Sequence, residues 1–348
     1  MPHKTSLQTL WKTKLRHSFN HIVVGKLFRL PNDCIVVGCE DGIIRLYDIP
    51  SSQGLNTELD ELEPRQCLET KGGPVQSLVL ADITHFSTAD LIAGDSRGTM
   101  TIFCNGQILS RQSISELSLN FLQVDTDSAG NPSLLAGDTG GVINALLPYS
   151  HLWKLQLNPV SQSVDSGPSG VKSLLATILV GSSGQMSNYI LASDDRCNLH
   201  FIQQGLIVLT LKTSAVVTAM CCGNFLSKDE IQTTEVFQGS TSQVALGGKD
   251  GSIFIMNNFQ IHKAEYANMQ IPIMHLASIA TGHSDELDSL LSAGHSNYVT
   301  LYHNRKLINR YQASDWINSL AVADLNKNGE QEVLIGCRDG WLHALRPL

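Results

Sequence analysis

Four oxygen-bearing side chains near the C-terminus have the spacing of a calcium-binding loop. In the stretch DLNKNGEQE they are Asp324, Asn326, Asn328 and Glu332, with the carbonyl of Glu330 lying between the last two. Calcium takes about six to eight oxygen ligands from carboxylates, amides and backbone carbonyls. The spacing therefore predicts a calcium site, and because two of the four groups are neutral amides, the predicted affinity is weak.

A second interpretation of the same stretch needs no metal. Asp and Asn side chains often accept hydrogen bonds from the backbone N–H groups just ahead of them and so stabilise a turn. Asp324, Asn326 and Asn328 are placed to do this. We prefer this structural role and predict no cofactor, with weak calcium binding as the alternative.

Other residue types that carry chemistry lack the partners they need. Two segments, 282–285 and 294–297, place His283 and His295 next to serines, but neither contains the G-x-S-x-G turn of a serine nucleophile. Cysteine and histidine pairs lack zinc-finger spacing. The glycine cluster at 137–141 lacks the lysine of a phosphate-binding loop and leads into a strand-like run. We therefore predict a protein that is not an enzyme.

Composition narrows the class further. The chain has 348 residues, of which 42% are hydrophobic and 16% charged, and a formal net charge of -8. It has no basic cluster of the kind that binds phosphates, so we predict no nucleic-acid partner. No apolar run approaches the ~20 residues of a membrane helix, so we predict no membrane insertion. Eight cysteines without a disulfide framework indicate free thiols in the cytoplasm.

The N-terminal segment offers one alternative location. Before Asp33 it carries only basic charges, as a mitochondrial presequence does. The repeat pattern described next argues against removal of this segment and therefore against mitochondrial import.

The chain repeats one unit seven times, at intervals of about fifty residues. Each unit is an apolar run, a tight turn and a second, alternating run. The units read CIVVGCEDGIIRLY, DLIAGDSRGTMTIF, SLLAGDTGGVINAL, YILASDDRCNLHFI, QVALGGKDGSIFIM, SLLSAGHSNYVTLY and EVLIGCRDGWLHAL. Glycine closes the turn in five units, Cys197 and Tyr298 stand there in the other two, and we expect Asn297 to take the left-handed conformation beside Tyr298.

Further apolar segments before and after each unit bring the total to four short strands, which is the composition of a propeller blade. The sequence predicts an all-β protein, a single seven-bladed β-propeller over residues 1–348 with four-stranded blades. The last unit ends too near the C-terminus to supply a fourth strand. Because Leu10-Trp11-Lys12 matches Leu152-Trp153-Lys154 of an outer strand, we predict that the N-terminal segment, about 6–16, completes the seventh blade and closes the ring.

The stretch SLAVADLNKNGEQEVLIGCRDGWLHAL resembles FG-GAP/VCBS-type repeats, in which an apolar strand, a D-x-[DN]-x-[DN]-G loop and a glycine hairpin follow one another. Among proteins with repeats of this type but without a signal peptide, the chain resembles the N-terminal propellers of BBSome subunits and the FG-GAP repeat protein of the KICSTOR complex. The resemblance covers the whole chain as a weak repeat, but only the seventh unit carries the full motif. It implies a scaffold or adaptor without catalysis, whose partners are other subunits of a complex.

We therefore predict a non-enzymatic scaffold propeller in a larger intracellular complex, with BBSome-like ciliary trafficking or KICSTOR-like nutrient signalling as narrower roles. Alternatives are a WD40-type adaptor, for which IIRLYDIP is a possible strand end, a calcium-dependent adhesion propeller, and an enzyme that uses the central channel. An enzyme would need polar residues at the mouths of the innermost strands, where we expect mainly apolar ones: Leu78, Leu80, Leu175, Val217 and Ala219.

Three polar insertions, at 51–66, 158–170 and 227–242, interrupt the repeat and are candidates for partner contacts. The first is acidic and carries Glu58, Asp60, Glu61 and Glu63, which favours a basic partner.

Overall fold

The fold is a closed ring of seven β-sheets. A computed structural model describes residues 6–51, 55–127, 129–158, 169–180, 184–227, 230, 243–280 and 286–347. The innermost strands of successive sheets contact one another around the ring, and the last contacts the first. The predicted all-β class and the seven-bladed propeller are confirmed. None of the described residues lies in a helix, so none lies in a helix long and apolar enough to span a membrane.

Each blade is an antiparallel sheet whose strands follow one another from the channel outward. The first described strand is β1 (Leu7–Lys14). Blade I holds β2 (Phe19–Gly25), β3 (Cys34–Cys39), β4 (Ile43–Asp48) and β6 (Gln66–Glu69), and β5 (Thr57–Glu58) lies between its last two strands in sequence. Blade II holds β7 (Val75–Ala81), β8 (Asp90–Asp95), β9 (Thr99–Cys104) and β10 (Gln107–Ser113).

The remaining blades follow the same order. Blade III holds β11 (Leu119–Thr126), β12 (Pro132–Asp138), β13 (Val142–Leu147) and β14 (Ser150–Gln156). Blade IV holds β15 (Ser173–Val180), β16 (Met186–Ser193), β17 (Asn198–Gln203) and β18 (Leu206–Lys212). Blade V holds β19 (Val217–Gly223), β20 (Gln243–Gly248), β21 (Ser252–Asn257), β22 (Gln260–Ile261) and β23 (Ala267–Asn268). Blade VI holds β24 (Ile273–Ile279), β25 (Ser289–Gly294), β26 (Tyr298–His303) and β27 (Lys306–Gln312), and blade VII holds β28 (Ile317–Ala323), β29 (Glu332–Cys337) and β30 (Trp341–Pro347).

The apolar core lies between blades, because both faces of each sheet are covered by a neighbour. The second strand is buried along its whole length in blades I, II, V, VI and VII. One cluster joins Val36 and Leu46 of blade I to Leu78 and Leu91 of blade II. This two-sided burial explains why the second strands are continuous apolar runs, whereas the outer strands are mixed.

A hydrogen bond of one kind closes every blade. The residue that follows the fourth strand donates its backbone N–H to the carbonyl of the last residue in the turn between the second and third strands. The pairs are Thr70 to Gly42, Ile114 to Gly98, Leu157 to Gly141, Thr213 to Cys197, Met269 to Gly251, Ala313 to Asn297 and Leu15 to Gly340.

The turn glycines have the positive φ that the repeat predicts, 79° at Gly42 for example, and Cys197 takes the same conformation with φ 58°. The prediction for blade VI was wrong. Asn297, not Tyr298, stands at the glycine position, and it is not among the residues with positive φ. The reason is a one-residue difference in alignment, since Gly294 pairs with Ile273 as the last residue of β25 and so corresponds to Cys39 of blade I, not to Gly38.

The N-terminal strand completes blade VII, as predicted. β1 runs antiparallel to β30, with Thr9 opposite Leu345 and Lys14 opposite Trp341. The side chain of Trp11 is 1% exposed and packs in a cluster that contains Leu334 and Leu342 of the same blade. The first and last described strands are therefore neighbours in one sheet.

Two irregularities were not predicted. β5, from the acidic insertion of blade I, pairs in parallel with β1 and gives blade VII a fifth strand. In blade V the outer strand is split, because β22 pairs with one end of β21 and β23 with the other, while 262–266 lie outside the ladder.

Candidate functional site

One face of the ring carries the turns between second and third strands and the connections between blades, since the four strands of each blade alternate in direction. We call it the connector face. In six blades the first residue after the second strand donates its N–H to the carbonyl of the residue just before the innermost strand, as Arg338 does to Trp316 at 2.8 Å and His295 to Pro272 at 3.1 Å. These bonds fix turns and connections to each other, so side chains on this face have a rigid backbone.

Among the described residues, Trp316 is the exposed large aromatic side chain on this face. It is 47% exposed and follows the outer strand of blade VI. Its ring stacks on that of His295, with centroids 5.5 Å apart and planes inclined by 12°. Half-exposed tryptophans on rigid backbone are typical of protein-binding hot spots, because their large area is desolvated at a small entropic cost. No periodic pattern in the sequence marks Trp316, since it lies in a connection between two blades.

The second residue of the innermost strand is polar in blades I, V and VII, where we expected mainly apolar residues. Asn20 and Asn318 each donate a 3.0 Å hydrogen bond to the first carbonyl of the next innermost strand, at Val75 and Phe19, and Thr218 donates likewise to Ile273. These residues stand where the register shifts by one. The polar groups thus join neighbouring blades.

The apolar residues expected at the channel belong to the packing between blades instead. Leu78, Val217 and Ala219 are buried members of the inter-blade clusters, and Leu80 and Leu175 pack against them. Successive side chains of a strand point to opposite faces of the sheet. In an innermost strand both faces meet other blades, which is why these residues do not describe the channel.

Two histidines of innermost strands are held neutral by burial. Burial is the main cause that lowers the pKa of His21 and of His275 to about 4, and the nearby His275 contributes to the lowering at His21. The Nδ1 atom of His21 has no hydrogen-bond partner among the described residues. Protonation of either ring is therefore unfavourable in the folded state.

Asp194, His200 and Thr210 form a hydrogen-bonded chain across blade IV. The Asp194 carboxylate lies 3.1 Å from Nε2 of His200, whose Nδ1 lies 3.0 Å from Oγ1 of Thr210. Burial acts to raise the pKa of Asp194, but hydrogen bonds from Asn198, Asn158 and His200 outweigh it and lower the pKa to about 2. The chain links a turn to the third and fourth strands and so braces the sheet. No sequence motif marks this chain of hydrogen bonds, because its three residues are not adjacent in the sequence.

The calcium-like loop uses its oxygens on its own backbone. Asp324 accepts the N–H groups of Asn328 at 3.0 Å and Gly329 at 2.8 Å, and Asn326 also accepts the N–H of Asn328. Asn328 accepts from Glu330 at 2.7 Å. These contacts fit the Asx-turn interpretation.

Glu332, the fourth predicted ligand, is fully buried. It accepts from the backbone of Leu325 and, at 2.5 Å, from the Asn326 side chain, and burial raises its pKa. The residues the structure describes contain no group of three or more His, Cys, Asp or Glu arranged to hold a metal. The structure thus brings the four predicted residues into one loop, and calcium binding there stays a prediction.

The acidic insertion meets a basic segment of the same chain. Glu58 pairs with Lys12 at 2.7 Å, and Arg16 pairs with Glu61 at 2.5 Å and Glu63 at 3.2 Å. Asp60 contributes through its backbone carbonyl, which accepts from Thr13. These carboxylates are thus paired with β1 and with Arg16 just after it, and a basic partner for the insertion stays a prediction.

The other sequence candidates divide between described and undescribed segments. His283 and its neighbours, most of 158–170 and most of 227–242 lie outside the described residues. His295 is the ring beneath Trp316. All eight cysteines are free thiols, and burial raises the pKa of Cys39 and of Cys337 to about 11, which keeps them protonated.

No protein-family model matches the chain, and no curated protein sequence matches it. Solved structures do match. A crystal structure of BBS1N in complex with ARL6DN, soaked with mercury, has a TM-score of 0.68 at 11% identity, over 98% of this chain and 97% of that chain. The lead-soaked crystal has a TM-score of 0.70 at 10% identity, over 98% and 97%.

The WD40 beta propeller domain of Doa1 matches with a TM-score of 0.66 at 11% identity, over 99% of this chain and 98% of that chain. At such identities the likeness concerns the fold alone. The resemblance to FG-GAP/VCBS repeats stays a prediction. What the comparisons show is that this chain is a seven-bladed β-propeller over nearly its whole length.

Proposed function

We propose that this protein is a non-enzymatic scaffold that binds another protein through the connector face at blades VI and VII. The observation that carries the proposal is Trp316, 47% exposed and stacked on His295, on backbone fixed by the Arg338 hydrogen bond. When a partner covers an aromatic ring in this setting, the burial of the ring makes the free energy of binding more favourable. The fold of BBS1N, which was crystallised with a protein partner, supports the same class of function.

Two narrower roles follow from the family resemblance. One is a subunit of a BBSome-like trafficking complex at the cilium, and the other a subunit of a KICSTOR-like nutrient-signalling complex in the cytoplasm. The backbone similarity to BBS1N supports the first. Co-purification with subunits of one of these complexes, at equal stoichiometry, would decide between them.

The test is affinity purification of the tagged protein at its natural expression level, followed by mass spectrometry. Wild type is expected to recover a stoichiometric partner, and Trp316→Ala to lose most of it. Tyr149→Ala is the matched control, because Tyr149 is also an exposed aromatic residue, 73% exposed, but lies in a turn on the opposite face. Equal recovery by all three proteins would reject this face as the binding surface.

A further inference from the structure

The outer edge of blade IV differs from the outer edges of the other blades. β18 reads LIVLTLK and has no charged or amide side chain before Lys212. Leu206 is 69% exposed and Val208 52%. The other full-length outer strands carry charges along their length: Arg111 in β10, Lys154 in β14 and Arg310 in β27. Exposed edge strands usually carry such charges, because an edge strand without them can pair with strands of other molecules.

A crevice adjoins this edge because the outer strand of blade V is split. Leu209 and Leu211 face blade V, where they pack near Phe259 and Ile261. Beside them is an open space of about 460 Å³. It continues into a cavity of about 330 Å³ that reaches Phe254 and Leu246, and both spaces share Lys212, Ile261 and Lys263. The crevice thus has an apolar floor, and its rim carries two cationic residues, Lys212 and Lys263.

The charge of the rim indicates the occupant. Neither Lys212 nor Lys263 forms an ion pair with any described residue, and the Lys212 ammonium donates only to the carbonyl of Arg196. The Asp250 carboxylate accepts hydrogen bonds from the N–H and the hydroxyl of Ser252, a residue that lines the cavity. A ligand with a carboxylate would complement these two cations.

The molecule itself shows this kind of recognition at another blade. At blade VII the free edge of β1 is joined by β5, an extended acidic segment, through backbone bonds from Asn56 to Thr9 and from Leu59 to Lys12. Glu58 of the added strand meets Lys12 at 2.7 Å. The edge of β18 offers the same two elements, a free strand and a lysine, with no segment of the described chain on it.

We propose that β18 and the crevice beside it bind an extended segment of a partner protein, with alternating apolar residues and at least one carboxylate, by strand addition. The backbone of the segment would extend the sheet of blade IV, its apolar side chains would enter the crevice, and its carboxylate would meet Lys212 and Lys263. The inference deepens the proposed scaffold function and rests on it, at a surface separate from Trp316.

The experiment uses a phage-displayed library of random peptides of about twelve residues, a length sufficient for strand addition. Peptides selected on wild type are synthesised, and their affinities are measured by calorimetry for wild type, Val208→Lys, Leu307→Lys and the double variant Lys212→Glu/Lys263→Glu. Leu307 is the matched control, because it is 54% exposed on the outer strand of blade VI. If Val208→Lys fails to fold, Leu206→Lys replaces it.

We expect alternating, acidic peptides whose affinity falls about tenfold or more in Val208→Lys and changes less than about twofold in Leu307→Lys. A peptide with its carboxylate replaced by lysine should prefer the double variant. Hydrogen exchange of the backbone of 206–212 should slow when the peptide binds, which docking without strand pairing would not cause.

The proposal is overturned if no peptide binds wild type, or if binding is indifferent to Val208→Lys. A wild-type dimer that Val208→Lys converts to monomer would assign the edge to a second copy of the chain and also overturn it. Stoichiometric recovery of a Trp316-dependent partner in either of these cases would leave the scaffold function standing, so the two failures can be told apart.

Discussion

The backbone N–H of Leu15 donates a 2.9 Å hydrogen bond to the carbonyl of Gly340. The same bond closes the other six blades, where both partners come from one continuous repeat. In blade VII it is made by the residue just after β1, so the N-terminal segment reproduces the fourth strand down to its final hydrogen bond. The ring is thus closed by non-covalent contacts between the two ends of the chain.

The closure predicts a large effect of truncating Trp11. Trp11→Ala removes a ring that is 1% exposed, and we expect the free energy of unfolding to fall by about 3–5 kcal/mol. Urea unfolding followed by circular dichroism measures this. Trp316→Ala is the control, since it removes the same side chain from a half-exposed position and should change stability by less than about 0.5 kcal/mol. Equal effects of the two substitutions would contradict the role of β1.

Cys197 predicts a stabilising substitution. Its φ of 58° is unfavourable for a side chain with a Cβ, and glycine stands at this position in five other blades. Cys197→Gly should raise the free energy of unfolding by about 0.5–1 kcal/mol, the relief of left-handed strain less the entropy that glycine loses on folding.

Gly98→Ala is the opposite substitution, and urea unfolding measures its free energy of unfolding together with that of Cys197→Gly. Its φ is 77°, and a Cβ there would collide with the carbonyl of Ser115. It should therefore be strongly destabilising. A destabilised Cys197→Gly would show that the thiol makes contacts that outweigh the strain.

The calcium-like loop is expected to keep its shape without metal. Asp324→Ala removes the acceptor of two backbone N–H groups, and we expect it to lower the free energy of unfolding by about 1–2 kcal/mol, equally with and without millimolar calcium. Calcium titration by calorimetry, with magnesium as the control cation, accompanies the unfolding curves. Heat of binding in wild type that Asp324→Ala abolishes would instead establish the calcium site.

Three histidines whose pKa values are lowered in the folded protein predict loss of stability in mild acid. Burial lowers the pKa of His21, His275 and His343 to about 4 in the folded protein, whereas an unfolded histidine titrates near 6.5. Between these values the unfolded chain binds more protons than the folded one. Stability should therefore fall as pH decreases from about 6.5 to about 4. Glu332, whose pKa burial raises, acts in the opposite direction.

The measurement is the unfolding free energy across this pH range for wild type and for His21→Gln/His275→Gln, which should flatten the slope by up to two protons. His85→Gln, at an exposed position, is the control for the substitution itself. An unchanged slope in the double variant would show that other groups cause the acid sensitivity.

The ring was predictable from sequence because its signal is local and repeated. A glycine such as Gly42 or Gly340, which must take positive φ between two apolar runs, marks each hairpin wherever it occurs. The place of β1 was predictable because Leu10-Trp11-Lys12 keeps the pattern of an outer strand despite its displacement.

Features that depend on contacts between distant segments were not predictable. β5 is two residues long and is too short to show an alternation of apolar and polar residues, so no sequence pattern predicts its pairing with β1. The bridging roles of Asn20 and Asn318 arise from register shifts between strands, which no pattern within one strand shows. The exposure of Trp316 depends on how two blades meet. Asp324, Asn326 and Asn328 lie in one loop that ends at Glu332, the first residue of β29, so their proximity depends on no contact between distant segments.

The pairing of β1 with β30 also sets an order of events during synthesis. β1 leaves the ribosome before its partner strand β30 is made, because Lys14 and its partner Trp341 are separated by 341 − 14 = 327 positions in the sequence. At about 5–20 residues per second, the interval is on the order of tens of seconds. During that interval the partner strand of Trp11 and its apolar neighbours does not exist. The nascent chain therefore carries an unpaired strand, which chaperones or other strands can bind until blade VII is complete.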